Sequence, residues 1–548
     1  MKKLLIVVLL FASGVHAQSK RKKRLADEKA NLELVANLKK HVQYLADDKL
    51  EGRRTGTKGE ELALQYIIQQ YQQIGLEARG KNGFVQTFEI NEGKQITPAN
   101  SLIINGHSLI QNIEYFPLTF SAQKFIKGNP AMALNERGQP WFKDLKEVLE
   151  ENKTNPHFDI DEAIKKEALV DASRGAIALF LYNSSSITDN VQFNKRDTTK
   201  SITIPVVYIT KSGFQHYFFD NAASLDLTLN VEIVDKKRTA SNIIGFINHH
   251  AATTVILGAH YDHLGYGEDN NALDTGHIIH NGADDNASGT AALIELTKML
   301  KKESPKNNNY LIIHFSAEEL GLFGSKFWLD SPTVSITANY MLNMDMVGRY
   351  DTSHKLTIGG YGTSPTWGSY FASLTNEKLI VKFDSSGSGP SDHASFYRKD
   401  MPVLFFFTGS HSDYHKATDD WDKINYDGEK NIVNYIYQLI SVNDAKGKLV
   451  FTKTREQQGG RSTKFKVSLG VIPDYGFSGT GLRIDGVSPG KLAEKIGLQT
   501  GDILLQLGDF KFVDIHCYMG SLGKFDKGDK AKLRILRGKE EKIFDIQF

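Results

Sequence analysis

This chain of 548 residues has almost no cysteine: Cys517 is the only one. No intrachain disulfide can form, so stability has to come from packed cores. Net charge is nearly absent too. The 66 Lys and Arg face 64 Asp and Glu, a formal +2. Residues 1–17 contribute Lys2 and Lys3 and no acid, so the chain beyond them is neutral. A neutral chain lacks the basic field of a nucleic-acid binder, and no nucleic-acid partner is expected. Beyond the first residues, no segment stays apolar long enough to span a membrane. H-E-x-x-H is absent, which removes the helix-borne single-zinc protease. Gly387–Pro390 is glycine-rich, but no Lys-Ser/Thr pair follows, so it is not a phosphate loop. No repeat recurs at a fixed period.

What is present begins with MKKLLIVVLLFASGVHA. Two lysines, an apolar stretch from Leu4 to Ala12 and small residues at Val15 and Ala17 have the layout of a secretory signal peptide cleaved after Ala17. The apolar stretch is short for an anchor. No cysteine lies nearby to accept a lipid. A periplasmic or secreted protein is expected, with no transmembrane segment after signal removal.

Hydrophobic content of 40% and charged content of 24% are those of a folded protein, and the length implies two to four domains. Leu25–Ala46 and Glu60–Ile74 have helical spacing, the second closed by Gly75. From about 113 to 235, strand-like runs such as Ala176–Tyr182 and Ile204–Ile209 alternate with polar loops. Candidate ligands are few there, which reads as an inserted module. Alternation of strands and helices resumes at 236 and runs to 445, with strands at Asn242–Ile247, Val255–Ala259, Leu311–Ser316, Tyr340–Asp345 and Pro402–Phe407. Such alternation predicts an α/β fold: a mostly parallel mixed sheet with helices on both faces. Residues 446–464 read as a linker. Residues 465–548 suit a small α+β domain.

The organising stretch is Val255–Gly289. A buried strand, Val255–Ala259, delivers His260 and Asp262 to a loop. Asp284 and Asp285 then precede a helix over Thr290–Leu300. Open α/β sheets place their sites at such strand ends, and imidazole with carboxylate is a zinc-ligand chemistry. Four further stretches bring similar residues to strand ends: HFSAEELG with Glu318 and Glu319, NMDMVG with Asp345, SGPSDHASF with Asp392 and His393, and SDYHKATDD with Tyr414, His415 and Asp419. A co-catalytic pair of zinc ions needs two nitrogen ligands, several carboxylates and a bridging group, with the metals ~3.5–4 Å apart. Adjacent glutamates can divide the work, one binding metal and one taking a proton from water. Asp262 and Asp419 are expected to hold the ring N–H groups of His260 and His415.

GAHYDH, GADDNASG, SAEELG, NMDMVG and SDYHKATD resemble, in order, the co-catalytic zinc aminopeptidase family. Its wider clan includes glutamate carboxypeptidases and the catalytically inactive transferrin receptor. The resemblance implies two Zn2+ ions. His260 and Asp345 would hold one, Glu319 and His415 the other, and Asp285 would bridge. It makes Glu318 the general base and Tyr414 the hydrogen-bond donor to the substrate carbonyl. It implies an aminopeptidase acting on peptides through metal-activated water. Residues 18–112 and 236–445 would form the catalytic domain. GAIALFLYN and IPVVYIT resemble a protease-associated domain, a β-rich insert over 113–235. SGTGLRIDGVSPGKLAEKIGLQTGDILLQLGD resembles a PDZ domain over 465–548. Gly479–Leu482 would be its carboxylate-binding loop and a peptide C-terminus its partner. A carboxypeptidase or dipeptidase, a glutaminyl cyclase with one zinc, and a non-catalytic binding scaffold are the rival readings. Asp284 reads as a helix N-cap and the second choice for the bridge. Arg53 and Arg54 lie in a loop that resembles the family's, with a surface salt bridge as the plain alternative. His249, His250, His277, His280, His314, His354 and His411 match no ligand position.

Overall fold

The computed structural model describes residues 2–548 apart from 154–157, 159, 190, 196–199, 219–223, 270, 275, 304, 352–354, 375–377, 455–466, 474–479, 488–490, 513–514 and 523. The largest sheet is mixed and has nine strands: β1 Glu77–Ala78, β2 Val85–Ile96, β3 Ile233–Ile247, β4 Thr253–His260, β5 Asn308–Phe315, β6 Ala338–Met344, β7 Leu356–Gly359, β8 Val381–Phe383 and β9 Val403–Phe407. Their order is β1-β3-β5-β4-β6-β9-β7-β8, with β2 paired to β3. The central strands β5, β4, β6 and β9 are mutually parallel, whereas β3 pairs antiparallel with β5 and β7 with β9. The sheet is therefore parallel at its centre, with an antiparallel pairing on either side of that block and a parallel pair, β7–β8, at one edge.

Its central strands are apolar runs because both faces are covered. On one face Val255, Leu257, Ile312 and Leu342 pack with α1 (Lys2–Leu45), α2 (Lys58–Ile74), α3 (Gly289–Glu303) and α4 (Tyr426–Asn443). On the other, Ile256, Leu311, Ile313 and Met341 meet Trp328 and Phe396 from two short helices. Helix α1 runs without a break through Ala17, and it is Leu34, Leu38, Val42 and Leu45, spaced by four, four and three, that enter the core. Among the described residues no helix is long and apolar enough to cross a membrane.

Two expected boundaries shift. Ser101–Ile104 pairs with Leu227–Asn230 in a sheet separate from the nine strands, so the insert's pairing begins before 113. Leu102 and Ile104 find their cover inside the insert, against Leu229, Leu227 and Phe180. The insert has two four-stranded sheets, as a β-rich module should, and also carries helices Lys146–Asn152, Ile160–Arg174 and Lys211–Tyr217. The expected restart at 236 falls inside β3, which with β2 forms a long antiparallel ribbon. The expected linker is packed at its start. Leu449 is buried and its N–H donates to Asn339 Oδ1, and Thr454 bonds Tyr397. Residues 455–464 of that linker, and Gly479 of the expected loop, lie outside the described residues. The last sheet has six strands between Val471 and Gln547, all antiparallel, around a core that includes Leu482, Leu504, Leu533 and Ile535.

Candidate active site

Register brings the site together. His260, the last residue of β4, lies beside Phe315 of β5, and Gly258 lies beside Asn343 of β6. The chain leaves these parallel strands at one edge, so Glu318, Glu319 and Asp345 emerge next to His260. Strand β9 pairs Phe406 with Met344 and leads on to Tyr414 and His415. Asp285 arrives from the segment before α3, whose first turn is tied to β4 because Thr290 Oγ1 donates to the His260 carbonyl at 2.9 Å.

Asp285 stands at the centre. Its Oδ1 is 3.4 Å from His260 Nε2, and its Oδ2 is 3.2 Å from His415 Nε2. Asp345 Oδ1 lies 3.3 Å from His260 Nε2, and Glu319 Oε2 lies 3.2 Å from His415 Nε2. Two clusters thus share one carboxylate, with one oxygen facing each. Glu318 Oε2 is 3.9 Å from His260 Nε2, beside the first cluster. Tyr414 stacks on His415 with ring centroids 3.9 Å apart.

The arrangement fits zinc. A tetrahedron with bonds of about 2.0–2.2 Å has edges of roughly 3.3–3.6 Å, close to the nitrogen–oxygen spacings here. His260 Nε2 and Asp345 Oδ1 are buried, and neither has a hydrogen-bond partner among the described residues. Orphaned buried polar atoms are costly, and a cation between them removes the cost. Burial pulls the His260 ring down, but Asp345 and Glu318 outweigh it and hold its pKa well above the usual value. Burial likewise opposes His415, and Glu319 and Asp285 outweigh it. Both rings therefore have sites that demand positive charge, which a metal supplies in place of a proton. Burial raises Asp285, but pairing with the two histidines holds it well below the ordinary carboxylate range. Burial pushes Glu318 well above its usual value, reinforced by Asp345 and Glu319 and opposed by His260.

The supporting residues differ in part from expectation. Asp262 sits with Oδ1 3.7 Å from His260 Nδ1, and its carbonyl is nearer, at 3.2 Å. Its carboxylate also accepts the N–H of Glu318 at 3.1 Å and of Glu319 at 3.4 Å, and the hydroxyl of Thr55 at 3.0 Å. Asp419 does not hold His415. The His415 Nδ1 lies 2.8 Å from the carbonyl of Asn271, while Asp419 Oδ2 accepts the N–H groups of Asp284 and Asp285. Asp284 is neither bridge nor cap. It accepts from Ser288 and Gly348 and faces His411 Nε2 at 3.1 Å, and the N–H of Gly289 at the start of α3 goes to Asn286 Oδ1.

Arg53 is buried, not at the surface. It donates to the carbonyls of Leu45, Tyr261, Asn281 and Gly282, and burial lowers its pKa to about 10. Arg54 does form a salt bridge, with Asp269 at 2.8 Å. Asp392 is fully buried near the site, and burial raises it to about 7. His393 stacks on Phe405. Three residues beside the candidate ligands, Ala317, Met346 and His415 itself, adopt left-handed backbone at φ 59°, 54° and 54°. Such conformations cost energy for non-glycine residues and gather at functional sites. His263, Asn271 and Asn286 went unnoticed in the sequence. Only His263 carried a signal, by following His260 and Asp262 in the same stretch.

Residues 242–440 match the model of peptidase family M28. The chain is similar to aminopeptidase YwaD of Bacillus subtilis (strain 168), 28% identical over 250 residues that cover 43% of this chain and 49% of the relative. It is similar to leucine aminopeptidase 2 of Trichophyton equinum, 28% identical over 223 residues, 37% of this chain and 42% of the relative. It thus spans about half the length of the curated relatives it matches. Among solved structures, BSAP, a zinc aminopeptidase from Bacillus subtilis, is 20% identical with a TM-score of 0.41, over 76% of this chain and 95% of that one.

Proposed function

We propose that the chain is an exported, zinc-dependent aminopeptidase that holds two zinc ions and removes N-terminal residues from peptides. The observation that carries the reading is the placement of Asp285, one oxygen towards His260 and the other towards His415. His260, Asp345 and Asp285 would hold one ion. Glu319, His415 and Asp285 would hold the other. When bound, zinc supplies Lewis acidity, polarising the scissile carbonyl and acidifying water. Glu318 takes the proton from the attacking water at its carboxylate and delivers it to the leaving amine. Its raised pKa makes it a stronger base than an exposed glutamate. Tyr414, kept protonated by burial and by the surrounding carboxylates, donates its hydroxyl to the carbonyl oxygen as negative charge grows there. Asp262 fixes both glutamates through their backbone N–H groups.

The aminopeptidase names of the curated relatives support the choice of the N-terminus, and the signal-like first 17 residues support export. The resemblance of 465–548 to PDZ domains supports a peptide C-terminus as a second partner. The test is a hydrolysis panel of free-amine, amine-blocked and carboxyl-blocked peptides, with and without chelator. Blocking the amine should abolish turnover and blocking the carboxyl should leave it. The reverse pattern would identify a carboxypeptidase. Zinc-loaded protein that hydrolyses none of these peptides would leave the cyclase and the binding scaffold.

A further inference from the structure

His263 is not among the candidate ligands, yet its ring is enclosed by the second cluster. The side chain is fully buried, and its Nδ1 lies 2.8 Å from Glu319 Oε1. That oxygen is not the one that faces His415, which is Oε2, 3.2 Å away. A spacing of 2.8 Å is that of a charge-assisted hydrogen bond. It is shorter than the roughly 3.3–3.6 Å expected between two ligands of one zinc ion. The bond occupies one glutamate oxygen and leaves the other for the metal.

The ring has no freedom to do otherwise. Gly282 is in left-handed backbone at φ 55°, and a Cβ there would stand 2.4 Å from His263 Cδ2 and 2.5 Å from its Cγ. The backbone of His263 is pinned from the other side, its N–H donating to the Arg53 carbonyl at 3.2 Å. Nε2 is buried and has no hydrogen-bond partner among the described residues, so the only polar contact of the ring there is with Glu319. His263, Asp285 and Glu319 also offer ligand atoms within 4.8 Å of one another, which places the ring inside the second metal's surroundings.

We infer that His263 is a positioning residue for Glu319: its Nδ1–H holds Oε1, so that Glu319 presents Oε2 as a single-oxygen ligand to the second metal. The inference rests on the zinc reading proposed above. It gives the two metal positions different support, since among the described residues no second imidazole bonds Asp345.

The test is zinc binding without substrate, measured by chelator competition and metal analysis on the full chain. Removing a hydrogen-bond partner of this kind typically weakens metal affinity 10–100-fold. His263→Ala should therefore weaken one of two ions by about that factor and leave the other unchanged. His263→Asn, whose amide nitrogen can stand where Nδ1 stood, should restore most of the lost affinity. His263→Gln, whose amide reaches the Nε2 position, should not. If His263→Ala does not fold, the contrast between Asn and Gln carries the test. Equal affinities in Asn and Gln variants would overturn the inference, as would two ions held undiminished in the Ala variant. Unmodified protein that binds no zinc would instead overturn the zinc reading itself.

Discussion

Asp419 Oδ2 accepts the backbone N–H of Asp285 at 3.1 Å. It accepts that of Asp284 too, at 2.9 Å, so one carboxylate fixes the segment that carries the shared ligand. Asp419→Ala should then weaken both metal positions together, each by about 10–100-fold. A role in holding His415, as the spacing of SDYHKATD suggests, would weaken one position only. Zinc titration of the variant separates the two, and loss of a single ion would return Asp419 to His415.

Metal content follows from the two clusters. Purified protein should hold close to two zinc ions per chain, and a chelator should abolish peptide hydrolysis. Full hydrolysis with one ion would remove the co-catalytic mechanism, and one ion without peptide hydrolysis would favour the cyclase reading.

Glu60 predicts a pH dependence of stability. It is buried on α2, it accepts from Gly56 N–H and from the Ser316 hydroxyl, and burial raises its pKa from 4.5 to about 8. The folded chain therefore keeps a proton that the unfolded chain has released, across the window between those values. Stability contributed by the protonated group is complete below the unfolded value and is lost as pH rises towards 8. Each pH unit inside the window is worth up to ~1.4 kcal/mol. Glu60→Gln keeps the size and removes the titration. Urea midpoints at pH 5 to 8 should fall for the unmodified chain more steeply than for the variant. Parallel slopes would show that Glu60 is ionised in the folded state.

The central strands were legible because both of their faces are covered, which makes them unbroken apolar runs in sequence. Of the expected ligands, His260, Glu319 and Asp345 stand at or just after such runs, whereas Asp285 stands before α3 and His415 lies well past β9. The ribbon of β2 and β3 was not legible, because Asp235, Lys236, Lys237 and Arg238 interrupt its apolar pattern where it leaves the core. Arg238 in fact pairs with Asp269 and Glu92. The expected link from Asp419 to His415 failed because spacing along a chain does not say which way a carboxylate turns. The ring of His415 is served by a backbone carbonyl, that of Asn271, and a carbonyl leaves no signature in composition. Nothing in an alanine or a methionine announces left-handed backbone, so Ala317 and Met346 were equally silent.

Packing at the start of the expected linker sets where the C-terminal domain can be removed. Leu449 joins the main core, the Thr452 N–H donates to the Thr363 carbonyl at 2.8 Å, and Thr454 bonds Tyr397 at 3.0 Å. Deletion of 465–548 should leave the melting temperature of the catalytic region and its zinc content intact. Deletion from 446 removes a buried leucine and several hydrogen bonds, and should cost about 2–5 kcal/mol. Comparing the two truncations by calorimetry checks the boundary. Equal stability would mean that 446–454 contributes nothing.

Glu318 and Glu319 are neighbours with opposed surroundings, and they should fail in different ways. Glu319 faces His415 and His263, and although burial raises its pKa, those partners bring it down to about 2. It is a permanent anion, suited to a ligand. Glu318 is surrounded by other carboxylates with His260 as its nearest cation, and its pKa is high. It is suited to exchanging a proton. Glu319→Ala should lose one metal, and activity with it. Glu318→Gln keeps the shape and loses only proton acceptance, so zinc content should hold while the rate drops by roughly 10²–10⁴-fold. The drop should lie in kcat and not in KM, because proton transfer belongs to the transition state. Metal analysis and steady-state kinetics on both variants decide it. Zinc lost from Glu318→Gln but retained in Glu319→Ala would mean that the roles are exchanged. A fully active Glu318→Gln would place the base elsewhere, and Asp392, buried near the same cluster with its pKa raised to about 7, is then the residue to change next.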